Sequence, residues 1–191
     1  QAHAATQPGH YGEVIVLDTE TTGITRSARL VEIGAVHARD GVVVDTFQTL
    51  VHPEMKIPRE VIHVHGITDA MVAHAPTARE ALVALLQWSP DAPWLAHNAA
   101  FDRRILTQEL ARTQLPSPKR AMHCTLRMAR RGFPELPDHR LGTLSSRLQL
   151  PHTPSHRAVA DCHTTLALFH ACVRRHGLAA AMGWMSPAAT L

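Results

Sequence analysis

Glu13-Val14-Ile15-Val16-Leu17-Asp18-Thr19-Glu20-Thr21-Thr22-Gly23 runs four consecutive apolar side chains into two carboxylates one residue apart. A Val/Ile/Leu run of this kind has the composition of a central strand buried on both faces. The strand is expected over residues 13–18, leaving Asp18 at the sheet's edge. Side chains of an extended chain alternate, so Asp18 and Glu20 share one side and Thr19 points away. Two acids at a strand end are ordinarily a solvated edge. Where a buried run surfaces directly into them, they become candidates for chemistry.

Working outward, residues 30–38 and 42–51 are two further β-branched runs, separated by Arg39-Asp40-Gly41. Asp-Gly between such runs signals a hairpin, so the chain opens with three antiparallel strands. Residues 52–76, punctuated by Pro53, Pro58, Gly66 and Pro76, read as a long connection with one helical turn near residues 68–73. Thr77, with Glu80 three residues on, caps a helix reaching Trp88. A short apolar strand at residues 93–96 leads through His97-Asn98 into a helix over residues 99–113, with Asp102 in its first turn. Residues 121–125 predict another short strand, running into a helix that Gly132-Phe133-Pro134 ends. Helices follow at residues 141–148 and 157–176, the latter carrying Ala160, Thr164, Leu168 and Ala171 along one stripe and stopped by Gly177. Strands first, then alternating helix and strand, argue for an α/β fold with a mixed five-stranded sheet flanked by helices. Residues 1–12 are expected to be a flexible N-terminal segment, residues 13–177 the domain and residues 178–191 an Ala-rich C-terminal tail.

With 191 residues, 45% of them hydrophobic, the chain can bury one proper core. The formal net charge of +3 excludes the large basic face that grips long duplexes nonspecifically, so any nucleic-acid contact should be short and local. Three cysteines, Cys124, Cys162 and Cys172, without C-x-x-C spacing indicate neither a disulfide framework nor a zinc ribbon. A reducing, cytoplasmic setting is the default. No signal peptide and no membrane span is expected. The fifteen histidines are dispersed, which argues against metal storage.

Two other stretches carry chemistry: His97-Asn98-Ala99-Ala100-Phe101-Asp102, and His156-Arg157-Ala158-Val159-Ala160-Asp161. Phosphodiester hydrolysis needs an activated water, charge neutralisation on the phosphate and stabilisation of the leaving oxygen. Two hard cations roughly 3.5–4 Å apart supply all three. Carboxylates hold such ions, so Asp18, Glu20, Asp102 and Asp161 are the candidate ligands. A neutral imidazole titrates in the physiological range, which makes His156 the candidate base. Taken singly, Asp102 reads as a helix-dipole acid, Asp161 as a polar-face residue and His156 as a structural histidine.

With those residues in place, the chain resembles the DEDDh group of 3′-to-5′ exonucleases, which includes the proofreading epsilon subunit of bacterial polymerase III, ribonuclease T and oligoribonuclease. The D-x-E motif matches Asp18 and Glu20, the second motif matches Asp102 in HNAAFD, and H-x-A-x-x-D matches His156 to Asp161. A linking HGIT element matches His65-Gly66-Ile67-Thr68. The resemblance runs from about residue 13 to residue 176. The sister group places tyrosine four residues before the last aspartate; that position is Arg157, and the chain's one tyrosine is Tyr11.

The resemblance implies an RNase H-like fold, two Mg²⁺ or Mn²⁺ ions, and stepwise release of nucleoside 5′-monophosphates from single-stranded or frayed DNA or RNA 3′ ends. It implies that Asp18 bridges both ions, that Glu20 and Asp161 complete the site of the nucleophilic water, that Asp102 supports the second ion and that His156 is the base. Thr21, His65, His97, Asn98 and Phe101 become candidates to line the terminal-nucleotide pocket, against plainer readings of Phe101 as core packing and Asn98 as a helix N-cap. A polymerase subunit or a second copy of the chain are the protein partners open to it. The alternative is a catalytically idle module that holds nucleic-acid ends or docks a polymerase. An endonuclease of the wider RNase H-like group is a third reading.

Overall fold

The computed structural model describes residues 10–154 and 156–191; most of the segment expected to be a flexible N-terminus lies outside the described residues. In chain order the elements are β1 (Glu13–Thr21), β2 (Leu30–Arg39), β3 (Val42–Leu50), α1 (Arg59–His65), α2 (Asp69–Val72), α3 (Ala78–Trp88), β4 (Trp94–Ala96), α4 (Ala99–Arg112), β5 (Ala121–Cys124), α5 (Thr125–Gly132), α6 (Leu141–Leu148), α7 (Ala158–His176), α8 (Leu178–Trp184) and β6 (Ala189–Thr190). They build one mixed sheet of order β3-β2-β1-β4-β5-β6. The first three strands are antiparallel, β4 and β5 run parallel to β1, and β6 returns antiparallel on β5. Asp40 and Gly41 both take positive φ, 46° and 84°, which is the geometry a tight hairpin needs.

The period of two in β1 sorts the core. Ile15 and Leu17 pack with β2, β4, α3 and α4 on one face, whereas Val14 and Val16 pack with α5, α6, α7 and α8 on the other. The capping box at Thr77 and Glu80 is present, and it fixes where α3 starts. Among the described residues no helix is long and apolar enough to cross a membrane.

Four expectations are corrected. The sheet has six strands rather than five, because Ala189 and Thr190 pair with Met122 and Ala121. β1 continues to Thr21, since Thr19, Glu20 and Thr21 still pair with β2; Asp18 therefore lies inside the sheet rather than at its edge. Residues 59–65 form α1, where only loop was expected. Pro58 occupies its N-cap and Gly66, at φ 73°, its C-cap, so the Pro/Gly punctuation marked helix ends. In α7 the expected stripe members Thr164 and Leu168 are buried but Ala160 and Ala171 stay partly exposed, and the buried face also takes in Asp161, Cys162, Thr165, Phe169 and Cys172. Burial against both β1 and the α5–α8 layer widens the covered face beyond a single row. Residues 178–191 form α8 and β6, with Ala181 and Met185 fully buried.

Candidate active site

β1 and β2 carry the site's floor. Asp18 pairs with Gly34 and Glu20 with Glu32, so all four positions project to the face covered by α7. Gly34 is what allows α7 so close. A Cβ there would lie 2.6 Å from the Val159 nitrogen and 2.7 Å from the Ala158 carbonyl carbon. The start of α7 thereby brings Asp161 over the strand. One ligand oxygen each from Asp18, Glu20 and Asp161 lie within 4.8 Å of one another.

Asp102 approaches from the opposite face. It is buried in the first turn of α4, where its Oδ1 accepts hydrogen bonds from the Thr19 hydroxyl at 2.7 Å and the Thr19 N–H at 3.1 Å. The alternation that turns Thr19 away from Asp18 and Glu20 thus gives the fourth acid its anchor. His156 stands at the mouth, its side chain 58% exposed, with Nδ1 3.6 Å from Asp161 Oδ2.

The electrostatics are strained towards a cation. Burial, followed by the charges of Asp102, Glu20 and Asp161, raises the Asp18 carboxyl well above the ordinary range. Burial and the nearby Asp161 push Glu20 up to about 9, and burial pushes Asp102 up to about 7 against the lowering effect of Thr19. Burial raises Asp161 as well, with His156 and His152 opposing. Clustered oxygens that resist ionisation alone are the donor set a hard divalent cation suits. The residues present therefore fit Mg²⁺ or Mn²⁺.

The pocket candidates divide. Thr21 and His65 close the end of β1: the Thr21 hydroxyl donates to the Gly23 carbonyl at 2.6 Å, and His65 Nε2–H donates to the Thr21 carbonyl at 3.1 Å. His65 Nδ1 accepts the Ile67 N–H, and burial lowers its pKa, so the ring is a neutral brace with both nitrogens engaged. His97 is likewise braced, between Thr125 and the His139 carbonyl at 2.9 and 2.8 Å. Asn98 sits at the α4 N-cap in a left-handed conformation, yet its side chain makes no capping bond and is exposed. The plain N-cap reading is corrected, and the amide is free for a ligand. Phe101 is half-buried against the core, with the Arg104 guanidinium 5.3 Å from its ring centroid.

Two further residues belong to the site. Glu32, fully buried, accepts Arg157 Nε at 3.1 Å and the Ala158 N–H at 2.8 Å. This fork ties β2 to the turn between His156 and α7, and it sets the Arg157 guanidinium against the Glu32 charge that faces Glu20 across the strand pair. The only sequence signal was a glutamate inside a buried run, because its partner lies 125 residues away.

An Exonuclease family model matches residues 15–169. A Mycobacterium tuberculosis protein named as a bifunctional exonuclease/endonuclease is 36% identical over 172 residues, covering 85% of this chain and 27% of the relative. A DNA polymerase III of PolC type from Bacillus subtilis is 31% identical over 156 residues, covering 81% of this chain and 11% of the polymerase. The chain thus spans only about a quarter or a tenth of the length of these curated relatives. Among solved structures, Exonuclease X in complex with 5′ overhanging duplex DNA superposes with a TM-score of 0.73 at 29% identity, over 91% of this chain and 99% of that one. Escherichia coli Exonuclease I in complex with a dT13 oligonucleotide shares the fold, with a TM-score of 0.74 at 19% identity over 86% of this chain and 41% of its own.

Proposed function

The chain belongs to the DEDDh-type 3′-to-5′ exonuclease family, and from that premise we propose that it releases nucleoside 5′-monophosphates from the 3′ ends of single-stranded or frayed nucleic acid. The observation that carries the reading is the convergence of Asp18, Glu20 and Asp161 oxygens, with His156 against Asp161. Asp18, Glu20 and Asp161 would hold a divalent cation, and Asp102 would support a second. Such ions, when bound, supply charge neutralisation on the scissile phosphate and the leaving oxygen. With Nδ1 turned to Asp161, His156 offers Nε2 to the proton of the attacking water. Water oxygen bonds to phosphorus, the P–O3′ bond breaks, and the departing 3′ oxygen takes a proton to leave a shortened strand with a free 3′-hydroxyl. Thr21, Asn98 and Phe101 would contact the terminal nucleotide, while His65 and His97 hold the segments that present them. The kinship with PolC-type polymerases supports a polymerase as partner and a cytoplasmic setting.

The test is Mn²⁺-supported digestion of 5′-labelled DNA and RNA oligonucleotides beside Asp18→Ala and His156→Ala. A ladder shrinking from the 3′ end is expected, abolished by Asp18→Ala and slowed about 10²- to 10⁴-fold in kcat by His156→Ala with little change in KM. Full activity in Asp18→Ala would sink the reading. No digestion by the parent protein, with no Mg²⁺ or Mn²⁺ binding by calorimetry, would leave an idle end-binding module.

A further inference from the structure

We propose that the groove between α4, β5 and α5 is a phosphodiester-binding site that holds a nucleotide unit of the nucleic acid whose 3′ end occupies the carboxylate cleft; this rests on the exonuclease reading. The groove encloses a cavity of about 260 Å³, with Arg103, Arg127 and Arg130 around an apolar wall of Met122, Leu126 and Met185. It opens past Asn98 into a second hollow that reaches His139 and Arg140.

Three features point to an anionic ligand. Among the described residues none of the three arginines forms an ion pair and no carboxylate lines the groove itself, Asp138 being the acid that lines the adjoining hollow. Arg127 is held by neutral groups, donating to the Ser186 and Pro187 carbonyls at 3.0 and 3.1 Å. Arg103 makes no side-chain hydrogen bond among the described residues, and with its Nε buried it is the terminal guanidinium nitrogens that it offers the groove. In addition, α4 and α5 both begin at the carboxyl ends of parallel strands, so both N-termini add positive potential at this end of the sheet.

Continuity with the cleft selects nucleic acid over an acidic protein segment. The N-terminal end of α4 joins the two sites, Asn98, Ala99 and Arg103 lining the groove while Asp102, one residue from Arg103, is one of the site's four acids. A strand with its terminus at Asp18 can therefore place a neighbouring phosphate between the planar guanidinium forks, with sugar or base against Met122 and Leu126. The site is short and local, as the modest net charge requires.

Arg103→Gln, Arg130→Gln and the double variant test the proposal, the exposed Arg130 being replaceable without disturbing the core. Steady-state kinetics with Mn²⁺ would compare the p-nitrophenyl ester of thymidine 5′-monophosphate, which lacks a neighbouring phosphodiester, with a ten-residue single strand and a duplex bearing the same 3′ end. The expected result is a rise in oligonucleotide KM of about fivefold to tenfold per arginine, so that preference for oligonucleotide over ester falls by that factor. The slope of log KM against log salt should flatten by roughly 0.7 per arginine on the single strand. A loss on both substrates assigns the groove to the scissile strand, and a loss on the duplex alone assigns it to the complementary strand. Unchanged oligonucleotide KM and salt slope in the double variant overturns the proposal and leaves the groove to an acidic protein partner. If the parent protein cleaves neither ester nor oligonucleotide, the exonuclease reading itself fails. Fluorescence anisotropy in EDTA then decides the groove, weaker oligonucleotide binding by the double variant supporting it and equal binding overturning it.

Discussion

Glu20, pushed up to about 9, and Asp102, pushed up to about 7, hold protons more tightly when folded than as free side chains near 4. Burial is the first cause for both, and the sign of the consequence follows. Between the unfolded and folded values the native state binds more protons than the unfolded chain, so metal-free stability falls as pH rises from about 4 to about 9. Divalent cations reverse the loss by answering the charge. Thermal unfolding in EDTA should show a midpoint declining from pH 5 to pH 9, with millimolar Mn²⁺ raising it by a margin that widens with pH. A flat EDTA profile would contradict this account of the acids. On the same grounds, Asp18→Asn should unfold at a higher temperature than the parent protein in EDTA at pH 8, while losing nuclease activity, because it removes an acid that burial, and then Asp102, Glu20 and Asp161, make costly to ionise in the fold.

At the scale of elements, the decisive contact is the approach of α7 to β2. Gly34→Ala would put a Cβ within 2.8 Å of Ala158 and Val159, mostly against backbone that cannot swing aside. We expect a cost of about 1–3 kcal/mol in urea unfolding, and a fall in kcat beyond that in KM as Asp161 and His156 are displaced together. Glu32→Gln acts on the same junction from another direction. It weakens the Arg157 fork and the bond to the Ala158 N–H, costing about 1–3 kcal/mol and broadening the pH–kcat profile through a loosened His156 turn. Were Glu32 a mere packing residue, stability would fall and the pH profile would keep its shape.

Over the whole molecule, β1 is the centre: it pairs with β2 and β4 and is covered on both faces. Amides of Ile15 to Leu17 should exchange with deuterium at the rate of global unfolding, and those of the solvent-facing edge strand β3 well before them; comparable rates would disprove a cooperative core centred on β1. That centre was legible in Val14-Ile15-Val16-Leu17, because buried central strands announce themselves by local composition. The same run located Asp18 and Glu20, and alternation put Thr19 on the other side. The Asp-Gly hairpin and the Thr77 capping box were equally local and equally readable. By contrast, α1 was hidden behind Pro58 and Gly66, and β6 was too short to carry a pattern. Nothing in the local sequence linked Glu32 to Arg157, gave Asp102 its anchor on Thr19, or gathered Arg103, Arg127 and Arg130 around one groove. Apart from α1 and β6, the chain by itself determined which segments become strands and helices and which acids are available, since those follow from neighbours a few residues apart. Only the tertiary structure decided how the acids meet, what tethers them and which arginines line one groove, because those contacts join residues far apart in sequence that only the packing of helices on the sheet brings within reach.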